Sequence, residues 1–117
     1  MPGHILVATD LSARSDLAVA RALYLAEVWN ADCSIIHVID AETPPERIKK
    51  RETDAANYIE KNYAKRARIV KPEIIVTGGR VFEVINQIAF EKRSAIIILG
   101  THRKNLILDA FRGTTVE

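Results

Sequence analysis

The stretch best suited to chemistry lies near the end of the chain, residues 100–115, GTHRKNLILDAFRGTT. Gly100 follows the apolar run AIIIL at residues 95–99, and Gly113 is followed by Thr114 and Thr115. A glycine at the carboxyl end of a buried strand lets backbone pass close to a ligand, because no Cβ stands in the way. A glycine followed by threonines reads as a helix start, where free N–H groups and a partial positive charge suit phosphate. A loop joining the two is an anion cradle, and His102 lies within it. The spacing alone does not separate such a cradle from an ordinary connection.

Other chemically capable side chains are few. Asp10 ends the first apolar run, a position that suits either a ligand contact or a turn and helix cap. His4, His37 and His102 share no metal-ligand spacing, so no direct metal site is expected. Ser12 and Ser15 have no partnered histidine and acid, which speaks against nucleophilic catalysis. No general base stands beside the cradle, so catalysis has little support from these residues. Cys33 is the single cysteine. It excludes an internal disulfide framework and, opening an apolar run, reads as a small buried hydrophobe.

The elements that must position these residues follow from periodicity. Residues 5–8 form a short apolar strand. Ser12 is expected to cap a helix running to about residue 30, with Leu17, Ala20, Tyr24 and Val28 packed on a sheet. Residues 33–39 are a second apolar strand. Thr43-Pro44-Pro45-Glu46 predicts a capping box, with Pro44 at the first helical position. The helix that follows carries Ile48, Ala55, Ile59 and Tyr63 on one stripe. Residues 68–77 read as a third strand; Pro72 inside it argues for a sheet edge. Gly78 and Gly79 end that strand. Val81, Val84, Ile85 and Ile88 mark a third helix, and residues 95–99 the fourth strand.

Alternating strands and helices predict an α/β fold, an open parallel sheet with helices on both faces. Right-handed crossovers with the third strand at an edge give the order 3-2-1-4. The winding reverses between strands one and four, where such sheets bind ligands beyond their carboxyl ends. Asp10 and Gly100 line that crevice. Thr114 to Glu117 read as the beginning of a further helix, so a fifth strand is expected to be missing and residues 1–117 to be one domain incomplete at its C-terminus. A bare fourth strand would be an aggregation hazard, so another chain is the other expected cover for it.

Composition sets the remaining bounds. Hydrophobic residues make up 48% and charged residues 27%, ordinary for a soluble globular domain. A net charge of +2 gives no argument for nucleic acid. No charged-then-apolar pattern opens residues 1–20 and no apolar run reaches membrane-spanning length, so neither a leader nor a membrane span is expected. The expected location is the cytoplasm, with neither membrane nor nucleic acid as partner.

The segments ILVATDLSARSDLAVARALYLA, SIIHVID, IIVTGG and IIILGTHRKNLILDAFRGTTVE, taken in order, resemble the universal stress protein family. The resemblance covers nearly the whole chain and implies a three-layer α/β/α sandwich of the adenine-nucleotide alpha hydrolase-like type, usually dimeric through its last strand. It also implies a small stress-response module binding ATP or a related adenine nucleotide. Ala8, Thr9 and Asp10 would lie by the adenosine, Val38 at the adenine, and Leu99, Gly100 and Thr101 about base and ribose. Gly113, Thr114 and Thr115 would hold phosphates, with Asp10 reaching Mg2+ through water. The family's nucleotide signature has a glycine where this chain has Arg103. Arginine restricts the backbone there but supplies a planar charged fork for phosphate. The alternative implied by that departure is a member that binds no nucleotide and acts as a dimeric protein-interaction module. The expected partners are therefore an adenine nucleotide, a second copy or paired domain, and an unspecified protein.

Overall fold

The structure, a computed structural model, describes residues 3–100 and the backbone of residues 115–116. Among these, β1 (His4–Ala8), α1 (Ala13–Trp29), β2 (Asp32–Asp40), α2 (Pro45–Asn62), β3 (Glu73–Gly79), α3 (Val81–Glu91) and β4 (Ile96–Leu99) alternate as expected. A two-residue strand, β5 (Thr115–Val116), completes the set. The sheet order is β3-β2-β1-β4-β5, with every neighbouring pair parallel. The universal α/β architecture and the order 3-2-1-4 thus stand as expected.

The strands are apolar runs because both sheet faces are covered. Ile5, Val7, Cys33, Ile35 and Ile98 pack beneath α1 and α2. The alternate residues Leu6, Ile36, Val38 and Ile97 pack against Ile85 and Ala89 of α3. A side chain such as Ile35, fully buried, contributes roughly 1.5–3 kcal/mol by leaving water.

Several local expectations are corrected. The face of α1 against the sheet is Ser15, Val19, Ala22 and Ala26, whereas Leu17, Tyr24 and Val28 are 75%, 65% and 57% exposed and Ala20 is also exposed. Both stripes have helical spacing, and the one with small side chains wins because it lets the helix lie close to the strands. The capping box at α2 does not form. Pro44 is extended (φ −55°, ψ 136°) because a residue before proline avoids the helical region, so Pro45 takes the first helical position. The Thr43 hydroxyl is buried with no hydrogen-bond partner among the described residues.

At β3, Pro72 lies just before the strand, and Gly78 and Gly79 are its last residues; the edge position holds. Finally, Thr115 and Val116 do not begin a helix. They pair with Ile96 and Ile97 as a fifth strand, where β-branched side chains suit an extended backbone and the open edge of β4 supplies hydrogen-bond partners.

Candidate functional site

The carboxyl ends of β1 and β4 meet at the point where the winding reverses, and the chain leaving β1 folds tightly there. Thr9 is buried and its N–H donates to the Ile36 carbonyl (2.9 Å). Its hydroxyl accepts the Leu11 N–H (2.9 Å). Its carbonyl accepts from His37 Nδ1 (2.8 Å), which places the proton of that ring on Nδ1, since a carbonyl only accepts. Leu11 is held in the left-handed region at φ 68°, a conformation that costs a residue with a Cβ roughly 1–2 kcal/mol.

Asp10 and Ser15 then join the loop to α1. The Ser12 N–H donates to Asp10 Oδ1 (2.9 Å), and the Ser15 hydroxyl lies 2.5 Å from the same oxygen. Burial works against the Asp10 charge, but hydrogen bonds from Ser12 and Ser15 outweigh it and hold the carboxyl below its usual range. Asp10 therefore caps the entry to α1 as well as bordering the crevice. Ser12 performs the expected capping role, its hydroxyl accepting the Ser15 N–H (3.2 Å).

Besides bordering the crevice, Gly100 packs tightly against α1. Ser15 Oγ is 2.9 Å from the Gly100 carbonyl. A Cβ added to Gly100 would stand 2.5 Å from Ser15 Cα and 2.8 Å from Ser15 Oγ. The close approach this glycine permits is to helix α1. Ser15, absent from the expected site, is thus the residue that gathers Asp10 and Gly100. Its sequence signal was a buried hydroxyl inside an otherwise apolar helix stripe.

The crevice itself is bordered by Ala8, Thr9, Asp10, Val38, Leu99 and Gly100, all expected there. Val81, Phe82 and Ile85 form a wall that sequence reasoning missed. Its signal was that α3 starts only two residues after the carboxyl end of β3. The described walls enclose about 120 Å³, below the roughly 300 Å³ at which pockets for drug-sized ligands begin. Thr101, His102, Arg103, Gly113 and Thr114 lie outside the described residues. Thr115 pairs with Ile96, at the opposite end of β4 from Gly100, roughly 10 Å along the strand from Leu99 at about 3.3 Å per residue. The structure does not bring it to the crevice.

A larger groove of about 450 Å³ runs between α1 and the segment after α2, past Asp16, Tyr24, Tyr63, Arg66 and Ile69. Its Asp16 carboxylate is already engaged: the Tyr63 hydroxyl at the groove and that of Tyr58 on α2 both donate to it. Strand ends, by contrast, offer backbone groups to an incoming molecule, so the smaller crevice is the better candidate. Among the described residues no cluster of histidine, cysteine and acidic side chains could hold a metal ion, and no helix is long and apolar enough to cross a membrane.

Comparison with known proteins agrees with this architecture. The universal stress protein model matches residues 1–117, whereas no curated protein matches the sequence. The universal stress protein UspA from Lactobacillus plantarum is similar in structure with a TM-score of 0.79 at 15% identity, over 98% of this chain and 95% of that one. A universal stress protein from Archaeoglobus fulgidus, solved in complex with dAMP, has a TM-score of 0.69 at 18% identity, over 97% and 94%. Another, solved in complex with cAMP, has a TM-score of 0.67 at 20% identity, over 98% and 94%. With a family match over its full length and the sheet order described above, this chain belongs to the universal stress protein family.

Proposed function

We propose that the chain is a small cytoplasmic stress-response or regulatory module that binds ATP or a related adenine nucleotide between β1 and β4. The observation that carries this reading is the convergence of Ala8, Thr9, Asp10, Val38, Leu99 and Gly100 on one crevice at the winding reversal. Structural relatives solved with cAMP and dAMP support it. In this reading the adenine enters between Val38, Phe82 and Leu99, with Ala8, Thr9 and Asp10 beside the adenosine. Thr101 completes the ribose contacts, and His102, Arg103, Gly113 and Thr114 serve the phosphates. Mg2+ suits Asp10 only through water, because Mg2+ dehydrates reluctantly and Oδ1 is already engaged by α1. The chain then works as a homodimer or paired domain that relays nucleotide occupancy to a protein partner.

Arg103, standing where nucleotide-binding members have glycine, favours one second reading: a dimeric interaction module with no nucleotide. Denaturing the purified protein, identifying released nucleotide and titrating calorimetrically with ATP and Mg2+ separates the two. Bound adenine nucleotide, or micromolar binding abolished by Phe82→Arg, supports the first. A folded, empty protein with no heat at millimolar ATP supports the second.

A further inference from the structure

At the amino end of the sheet, away from the crevice, four polar side chains and one lysine form a continuous chain across the strands. His4 Nδ1 is 2.7 Å from Ser94 Oγ, and His4 Nε2 is 2.8 Å from Ser34 Oγ. The Ser34 hydroxyl donates to Glu73 Oε1 (2.8 Å), and the same oxygen takes Lys92 Nζ (2.7 Å). Lys92 is the C-terminal cap of α3, and the Ala95 N–H donates to the His4 carbonyl (2.8 Å).

With a neutral His4 ring, only one arrangement of protons satisfies every link. A carboxylate can only accept, so the single proton of Ser34 goes to Glu73. His4 Nε2 must then carry a hydrogen and donate to Ser34, which leaves Nδ1 as an acceptor for the Ser94 hydroxyl. A second ring proton on Nδ1 reverses the Ser94 link. It also sets a cation beside Lys92 while both depend on the one Glu73 carboxylate. Among the described residues the charged groups facing His4 are Asp32 of β2, Glu73 of β3 and Lys92 at the end of α3. Burial first, and Lys92 second, lower the His4 pKa, against the opposite pull of Glu73 and Asp32. The neutral ring is the resting form near neutrality.

We propose that this relay is an acid-sensitive latch, in which protonation of His4 sets a second cation against Lys92 at the one Glu73 carboxylate and so loosens the C-terminal end of α3 from the sheet. The device does not depend on a nucleotide in the crevice.

The test is amide exchange of the full chain, corrected for intrinsic rates, with ring-proton NMR of His4 between about pH 7.5 and pH 5. The wild type is expected to lose protection at the Lys92, Ser94 and Ala95 amides by about tenfold as His4 titrates below its usual range. His4→Gln, which can still donate to Ser34, is expected to show no such pH dependence. In Lys92→Met the His4 midpoint should move to higher pH, and the loss of protection that accompanies it should disappear. Protection lost equally in wild type and His4→Gln overturns the latch, as does a His4 titration without any change in exchange. Should His4→Gln fail to fold, Lys92→Met decides: a loss of protection that still follows the His4 midpoint refutes it, and a midpoint that moves without that loss supports it.

Discussion

The two ends of the sheet use polar residues in opposite ways. At the amino end, His4, Ser34, Glu73, Lys92 and Ser94 satisfy one another side chain to side chain. At the carboxyl end, Thr9, Asp10, Ser12 and Ser15 mainly serve backbone: they fix the turn into α1 and leave an apolar crevice beside it. Charge balance holds the first region and steric closeness the second. The first should therefore respond to protons, the second to added volume.

The sharpest way to break the contrast is Gly100→Ala. Its Cβ would meet Ser15 Cα, a backbone atom, at 2.5 Å, so strand or helix must move. A loss of about 3 kcal/mol in denaturant unfolding is expected, far above what the same change costs at an open turn. Next is Val19→Ala, which empties the fully buried stripe of α1 and should cost about 2 kcal/mol. Leu17→Gln on the exposed stripe should stay within about 0.5 kcal/mol. If Leu17→Gln instead costs more than Val19→Ala, the helix faces the other way.

Ser15→Ala keeps the volume but deprives Asp10 and the Gly100 carbonyl of their shared partner. About 1.5 kcal/mol should be lost, with the crevice reshaped rather than filled. The smallest effect is that of pH on the other end. The folded-state pKa of His4 is lowered, so its contribution to stability is complete above the unfolded value of 6.5 and declines as pH falls through the folded value. Hydrogen bonds from Lys92 and Ser34 likewise hold Glu73 below 4.5, so its contribution disappears only at lower pH. Thermal melts in His4→Gln should lack the first decline and keep the second.

The contrast also explains what could be read from sequence. Strand and helix order followed from runs such as IIIL and from glycine and proline punctuation, because both sheet faces are buried and each strand must be apolar throughout. The crevice followed from where the winding reverses. What escaped depended on choices between equivalent local patterns. Two stripes on α1 share one spacing, and only the closeness of the packing selects Val19, Ala22 and Ala26 over Leu17, Tyr24 and Val28. Thr43 and Glu46 have capping-box spacing, but Pro45 denies Pro44 the helical conformation. Gly100 was legible as a close-approach position; that the approaching group is Ser15, 85 residues away in sequence, was not. The relay at the amino end joins four separate segments, and no local spacing announces it.

One buried atom gives this fold a clock. Cys33, the chain's single thiol, is 3% exposed beneath α1, and burial pushes its pKa up to about 12. Only the thiolate reacts readily, so a disulfide reagent must wait for the layer above β2 to separate. Its labelling rate in native buffer should be far slower than that of a free thiol and should saturate with reagent concentration once opening becomes limiting. At that plateau each modified molecule records one separation of helix from sheet, and the effect of Val19→Ala can be counted in seconds.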